Sequence, residues 1–175
     1  MNPFAGNDRD LWVNWDRYNR LVEQLAFVVH ASGWSFDQIL CLARGGLRVG
    51  DVLSRIFEVP LGILATSSYR EAFGTQQGDL DIAPFITMTR GSLSGRVLLV
   101  DDMVDTGHTL VRVRDHLARQ FPAVTELKTA VLWWKGHSVV DPDFYVQKLD
   151  SNPWIHQPFE EYDNLRPHQL VGLGN

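Results

Sequence analysis

A single cysteine, Cys41, in 175 residues leaves no partner for an internal disulfide. It stands in the apolar run Ile39-Leu-Cys-Leu-Ala43, which reads as core, and a reducing cytoplasm suits such a chain. No stretch approaches the roughly 20 apolar residues that cross a bilayer. The first ten residues also lack a basic segment followed by an apolar one, so neither a membrane span nor a secretory signal is expected. Excess positive charge is missing too: 16 Lys and Arg stand against 21 Asp and Glu, for a net charge of −5. That balance argues against a protein that coats nucleic acid. It still permits a phosphate-bearing ligand held by backbone amides or by a locally positive site. Repeats, low-complexity tracts and interdomain linkers are absent, so residues 1–175 read as one domain. Neither the P-loop pattern Gly-x-x-x-x-Gly-Lys nor Gly-x-Gly-x-x-Gly occurs.

What is present is an alternation of helical and strand patterns. Asn14 caps a predicted helix from about Trp15 to His30, whose buried stripe is Tyr18, Leu21, Val22, Leu25, Val28 and Val29. Gln38–Ala43 reads as a buried strand, broken by Arg44-Gly-Gly46 before helical spacing resumes over Leu47–Phe57. Leu61–Thr66 is a second strand. Ser67–Ala83, polar and carrying Gly74 and Gly78, reads as a long mobile loop or a loose hairpin. A short strand is expected in Phe85–Thr89 and a strong one in Arg96–Val100, followed by a helix over Thr109–Phe121 and strands at Leu127–Leu132 and Phe144–Gln147. Apolar strands without alternation, interleaved with helices, predict an α/β fold: a mostly parallel sheet covered on both faces. Ligands of such sheets bind beyond the carboxyl ends of the strands.

The most informative segment is Val97-Leu-Leu-Val-Asp-Asp-Met-Val-Asp-Thr-Gly-His-Thr-Leu110. An apolar strand ends in two acids, a short loop follows, and a helix begins. Residues 105–109 offer backbone amides, two hydroxyls and a glycine at a helix N-terminus, where unpaired N–H groups and the helix dipole favour an anion. Two carboxylates beside a phosphate would repel it unless they had another task, such as accepting hydrogen bonds from sugar hydroxyls or holding Mg²⁺. Haloacid-dehalogenase enzymes need Asp-x-Asp-x-Thr, which Asp101-Asp-Met-Val-Asp105 does not supply. A receiver domain would leave Arg44-Gly-Gly46 unexplained.

This segment resembles the phosphoribosyl pyrophosphate motif of type I phosphoribosyltransferases: apolar strand, two acids, two residues, Asp-Thr-Gly, one residue, Thr. Ala43-Arg-Gly-Gly46 is similar to the family's pyrophosphate loop, and Ser67-Ser-Tyr69 to the opening of its flexible loop. Val13-Asn-Trp-Asp16 and Trp154-Ile-His-Gln-Pro158 fit the bacterial xanthine-guanine (hypoxanthine) branch in particular, and the matched blocks span nearly the whole chain. The resemblance implies the type I fold with a small base-binding hood, formed mainly by about 135–165. It also implies a magnesium-dependent enzyme of purine salvage and a homo-oligomer, dimer or tetramer.

Carried over residue by residue, the resemblance assigns the ribose hydroxyls to Asp101 and Asp102, with Asp102 also near Mg²⁺. Thr106, Gly107, His108 and Thr109 would wrap the 5′-phosphate with the amide of Asp105. His108 departs from the small residue common in close relatives: it either adds a donor or faces solvent. The Asp105 side chain would face the base as catalytic proton acceptor. Arg44, Gly45 and Gly46 would hold the pyrophosphate, and Ser68, Tyr69 and Arg70 belong to the flexible loop, where Arg70 would reach the same group. That loop is longer than in the branch it resembles and lacks a lysine cluster. Lys135, just past the strand Leu127–Leu132, would donate to a purine 6-oxo group, Trp154 would stack on the base, and the Ile155 backbone would read its 2-position. The expected reaction joins phosphoribosyl pyrophosphate to guanine, xanthine or hypoxanthine. Two alternatives remain open: a non-catalytic regulator of the same fold that binds phosphoribosyl ligands, and a pyrimidine phosphoribosyltransferase.

Overall fold

The computed structural model describes residues 9–68 and 80–170. Three α-helices occur among them: α1 (Trp15–Ala31), α2 (Leu47–Ile56) and α3 (His108–Gln120). The strands are β1 (Asp10–Trp12), β2 (Gln38–Ala43), β3 (Leu61–Ser68), β4 (Leu80–Ile82), β5 (Thr87–Met88), β6 (Gly95–Val100), β7 (Met103–Val104), β8 (Val124–Lys135), β9 (Phe144–Leu149) and β10 (Trp154–His156). The predicted helices and main strands stand within a few residues of these bounds, and Asn14 caps α1 by accepting a hydrogen bond from the Arg17 amide at 2.9 Å.

The large sheet runs β4-β3-β2-β6-β8-β7, with β5 also on β3 and β9 also on β8. β2 pairs in parallel with both β3 and β6, and β8 pairs in parallel with β6, β7 and β9. Only β4 and β5 run antiparallel, both against β3. Alternate residues of the central strands divide between two cores, as the pleat requires. Ile39, Cys41, Leu98, Val100, Ala130 and Leu132 pack with α1 and α2 through Leu25, Val29, Val49 and Leu53. Leu40, Leu42, Leu64, Val97, Leu99 and Val131 pack on the other face with Leu110, Val113 and Leu117 of α3. Both faces are covered, which explains why the strands show no polar alternation. Cys41 is fully buried, and burial pushes its thiol up to about 12, as befits an inert core residue.

Several features of the architecture bear on the site. β8 runs to Lys135, so that lysine ends the strand instead of following it, because parallel pairing with β7 and β9 extends the ladder. The ends of the Ser67–Ala83 segment form a hairpin stem, Thr66–Ser68 against Leu80–Ile82, while 69–79 lie outside the described residues. A second sheet pairs β1 in parallel with β10, so the segment near Trp154 is bound to chain from the N-terminus. The strand expected at Phe144–Gln147 is β9, Phe144–Leu149, paired in parallel with β8 in the large sheet.

Candidate active site

Parallel pairing brings three carboxyl ends together. Cys41 of β2 is level with Val100 of β6, so Arg44-Gly-Gly46 and Asp101-Asp102 emerge side by side. Val100 is level with Ala130 of β8, whose end carries Lys135. The Leu132 amide donates to the Asp102 carbonyl at 2.9 Å, tying the acids to the third strand.

The glycine loop and the acids touch. A Cβ on Gly45 would come within 2.6 Å of Asp102 Oδ1 and 3.0 Å of Asp101 Oδ1. On Gly46 it would come within 2.5 Å of the Val100 carbonyl oxygen and 3.0 Å of Asp101 Cα, both backbone atoms that cannot swing aside. The Ala43–Arg44 peptide between β2 and this loop is cis. Gly46→Ala is therefore expected to destabilise the fold by about 1–3 kcal/mol, the usual cost of overpacking. At about 2–4 °C per kcal/mol for a chain of this size, thermal unfolding should show a clear drop. An unchanged melting temperature would mean that the loop can open without cost.

Burial raises the carboxyl of Asp101 well above its usual range, and repulsion from Asp102 adds to this. The Asp102 amide, donating to Asp101 Oδ1 at 2.9 Å, opposes the shift only in part. Burial also raises Asp102, against hydrogen bonds that favour its charged form. These come from the Met103 amide to Oδ1 at 2.8 Å and from Gln157 Nε2 to Oδ2. Two crowded carboxylates short of counter-charge suit a cation. Among the described residues no three His, Cys, Asp or Glu side chains gather to enclose one. A one-sided pair of hard oxygen donors fits an ion that takes its other ligands from water and substrate phosphate, as Mg²⁺ does.

Gly107 adopts the left-handed conformation, φ +86°, and precedes α3. A side chain there would be strained and would lie 2.5 Å from Ser138 Oγ, so glycine is required twice over. Neither a side-chain cap nor an acidic residue occupies the first turn of α3, which leaves its positive end without a counter-charge from that turn. Asp105, Thr106 and His108 are exposed around it, and the Thr106 carbonyl accepts from the Val139 amide at 3.0 Å.

Lys135 is 6% exposed, which is unusual for a lysine. Its Nζ lies 3.4 Å from Asp105 Oδ1, and His137 Nε2 lies 3.1 Å from the same oxygen. Ile155 is buried and Trp154 is 55% exposed. Arg44 is largely exposed, with Asp163 3.9 Å away, a surface pair of little energetic weight. The backbone of Ser68 pairs with Leu80, while Tyr69 and Arg70 lie outside the described residues. Sequence reasoning brought Asp101, Asp102, Asp105, Gly45, Gly46 and Lys135 to one edge correctly. It missed His137 and gave no role to Gln157. His137 carried no signal beyond standing two residues after Lys135. Gln157 belongs to the Trp-Ile-x-Gln-Pro block, which by itself assigns it no task.

A parallel sheet whose carboxyl edge joins a glycine loop, an acid pair and a glycine-nucleated helix start, beside a small second sheet, is the type I phosphoribosyltransferase fold. Residues 14–164 match the family model of the phosphoribosyl transferase domain, and the chain belongs to that family. Over 155 residues it is 27% identical to the xanthine-guanine phosphoribosyltransferase of Idiomarina loihiensis, covering 88% of this chain and 89% of that protein. The crystal structure of purine phosphoribosyltransferase from Pyrococcus horikoshii is similar, with a TM-score of 0.72 and 30% identity, over 90% of this chain and 98% of the other. The xanthine-guanine-hypoxanthine phosphoribosyltransferase of Helicobacter pylori shares the fold at a TM-score of 0.69 and 22% identity, over 87% and 94% of the two chains. No helix among the described residues is long and apolar enough to cross a membrane.

Proposed function

We infer that the protein transfers the 5-phosphoribosyl group of phosphoribosyl pyrophosphate to a 6-oxopurine, releasing pyrophosphate, as in purine salvage. The observation that carries the reading is the buried Lys135 at the end of β8, paired with Asp105 of the loop that opens α3. The purine half of the reading rests on that lysine and on the relatives' own substrates.

In this reading the amides of 105–109 and the hydroxyls of Thr106 and Thr109 hold the 5′-phosphate at the start of α3. Asp101 and Asp102 accept from the ribose hydroxyls. Arg44 and the backbone of Gly45 and Gly46 face the pyrophosphate, with the glycines allowing close approach. Asp102 would hold Mg²⁺, which when bound neutralises charge on the leaving pyrophosphate. The bond from the anomeric carbon to the pyrophosphate oxygen breaks, and a bond from that carbon to purine N9 forms. The proton displaced from the five-membered ring passes to Asp105, whose Oδ1 already faces Lys135 and His137. Oδ2 is then the oxygen available to the purine. Trp154 stacks on the base, the Ile155 backbone reads its 2-position, and Lys135 donates to the 6-oxo group.

The direct test is to mix the protein with phosphoribosyl pyrophosphate, Mg²⁺ and each base in turn and to measure nucleotide. Nucleotide from guanine, xanthine or hypoxanthine supports the reading, and preference for adenine or orotate overturns its purine half. Specificity yields a sharper prediction. An ammonium has donors only, so the 6-amino group of adenine facing Lys135 leaves donors opposed. A hydrogen bond to a charged group contributes up to about 3 kcal/mol, or roughly 100-fold in kcat/KM. Lys135→Ala is expected to lose about that factor with 6-oxopurines while the affinity for phosphoribosyl pyrophosphate changes far less. A variant as active as wild type would return Lys135 to a purely structural role.

A further inference from the structure

Gln157 is 6% exposed and directly follows β10. Along this segment the side chains alternate: Trp154 is exposed and His156 partly so, while Ile155 and Gln157 are buried. Gln157 Nε2 donates to Asp102 Oδ2. The other carboxylate oxygen, Oδ1, accepts from the Met103 amide. One donor therefore comes from the acid's own loop and one from the second sheet, and together they fix the plane of the carboxylate.

The segment is itself held firmly. The Trp154 amide donates to the Arg9 carbonyl at 2.7 Å, and the Val13 amide to the His156 carbonyl at 3.0 Å. The His156 ring stacks on Trp12 at 3.7 Å, with the planes 7° apart, and its Nε2 lies 2.8 Å from Asp10 Oδ1. None of this requires a glutamine at 157. Its Oε1 is buried without a hydrogen-bond partner among the described residues. A buried unpaired carbonyl is unfavourable, whereas an apolar side chain of similar size would leave none. Stability alone does not select glutamine here, so its value lies in what the amide does for Asp102.

We propose that Gln157 is a positioning residue for the phosphoribosyl subsite: its amide holds the Asp102 carboxylate in the orientation that the ribose and cation need. The strand that presents Trp154 and Ile155 to the base thereby also sets the acid pair. Three residues of extended chain, about 10 Å, connect the two tasks. The inference rests on the reading of Asp102 as a phosphoribosyl ligand. Outer partners of such carboxylates matter because loss of orientation typically costs about 10- to 100-fold in affinity or activity.

The test is calorimetric titration of the whole protein with phosphoribosyl pyrophosphate and Mg²⁺ without base, wild type against Gln157→Leu, followed by the KM for guanine and thermal unfolding. The expected result is affinity about 10- to 100-fold weaker, a guanine KM within about threefold of wild type (half the ~1.4 kcal/mol of a tenfold change), and an unchanged or raised melting temperature. Wild-type affinity in the variant overturns the inference. So does an equal loss for guanine, since that marks general damage to β10. Should the leucine variant not fold, Gln157→Met, which is unbranched and similar in length, carries the same expectations. A wild-type protein that does not bind phosphoribosyl pyrophosphate overturns the reading of the site itself, which is a different failure from a variant that binds like wild type.

Discussion

Asp105→Asn is expected to lower kcat with a 6-oxopurine by about 10²–10⁴-fold, the usual contribution of a positioned general base. Binding of phosphoribosyl pyrophosphate should change little. Asp105 stands on the exposed loop before α3, and Lys135 and His137 both approach its Oδ1, at 3.4 and 3.1 Å. A carboxylate with one oxygen between two donors has the other free to accept a proton. Asparagine keeps the shape but accepts no proton. Its amide must also choose between offering NH₂ to Lys135 and His137, which opposes donors, and offering NH₂ to the purine. The backbone amide of residue 105, proposed above to face the 5′-phosphate, is retained. Steady-state kinetics with calorimetry of phosphoribosyl pyrophosphate separate the two effects. A loss of kcat below about tenfold would remove Asp105 as the proton acceptor, because that falls short of general-base catalysis.

The second large effect is expected on removal of divalent cation. Excess chelator should reduce turnover by roughly a thousandfold or more, since metal stabilisation of a leaving phosphoryl oxygen amounts to several kcal/mol. The residues argue for this independently of the leaving group. Asp101 and Asp102 are adjacent, burial raises both carboxyls, and repulsion from Asp102 raises Asp101 further. The glycine loop presses against them so closely that a Cβ on Gly45 would displace the Asp102 carboxylate. No third acid or histidine joins them among the described residues, so an ion here would take its remaining oxygens from water and substrate phosphate. Activity should return on adding Mg²⁺ beyond the chelator. Asp102→Asn should raise the Mg²⁺ concentration required, because it removes a charged ligand while preserving the space. Full activity in excess chelator would eliminate a cation from the mechanism.

The segment proposed to hold the phosphoribosyl group was legible because it is local. Residues 97–110 contain a strand, its terminal acids, a left-handed glycine and a helix start in one unbroken run, and each follows from residue type and position. Asn14 as a helix cap and Cys41 as core are similarly local. The base half was legible only through a resemblance, and its details were less accurate. Lys135 ends a strand rather than following one, because a ladder's length depends on its neighbours as well as on its own residues. β1 and β10 are three residues each, too short to show a period, and they exist only because each supplies the other's hydrogen bonds.

The sequence by itself determined the mostly parallel α/β architecture and the unit of strand, acid pair, loop and helix start over residues 97–110. Apolar periodicity, glycine stereochemistry and helix capping act over a few neighbouring residues, so they are written in order along the chain. Only the tertiary structure decided which distant residues meet. It placed His137 with Lys135 on one oxygen of Asp105, and Gln157 on Asp102, 55 residues away. Such contacts depend on strand order and on the register of one sheet against another. These are set by the burial of the whole core rather than by any property of the residues that touch.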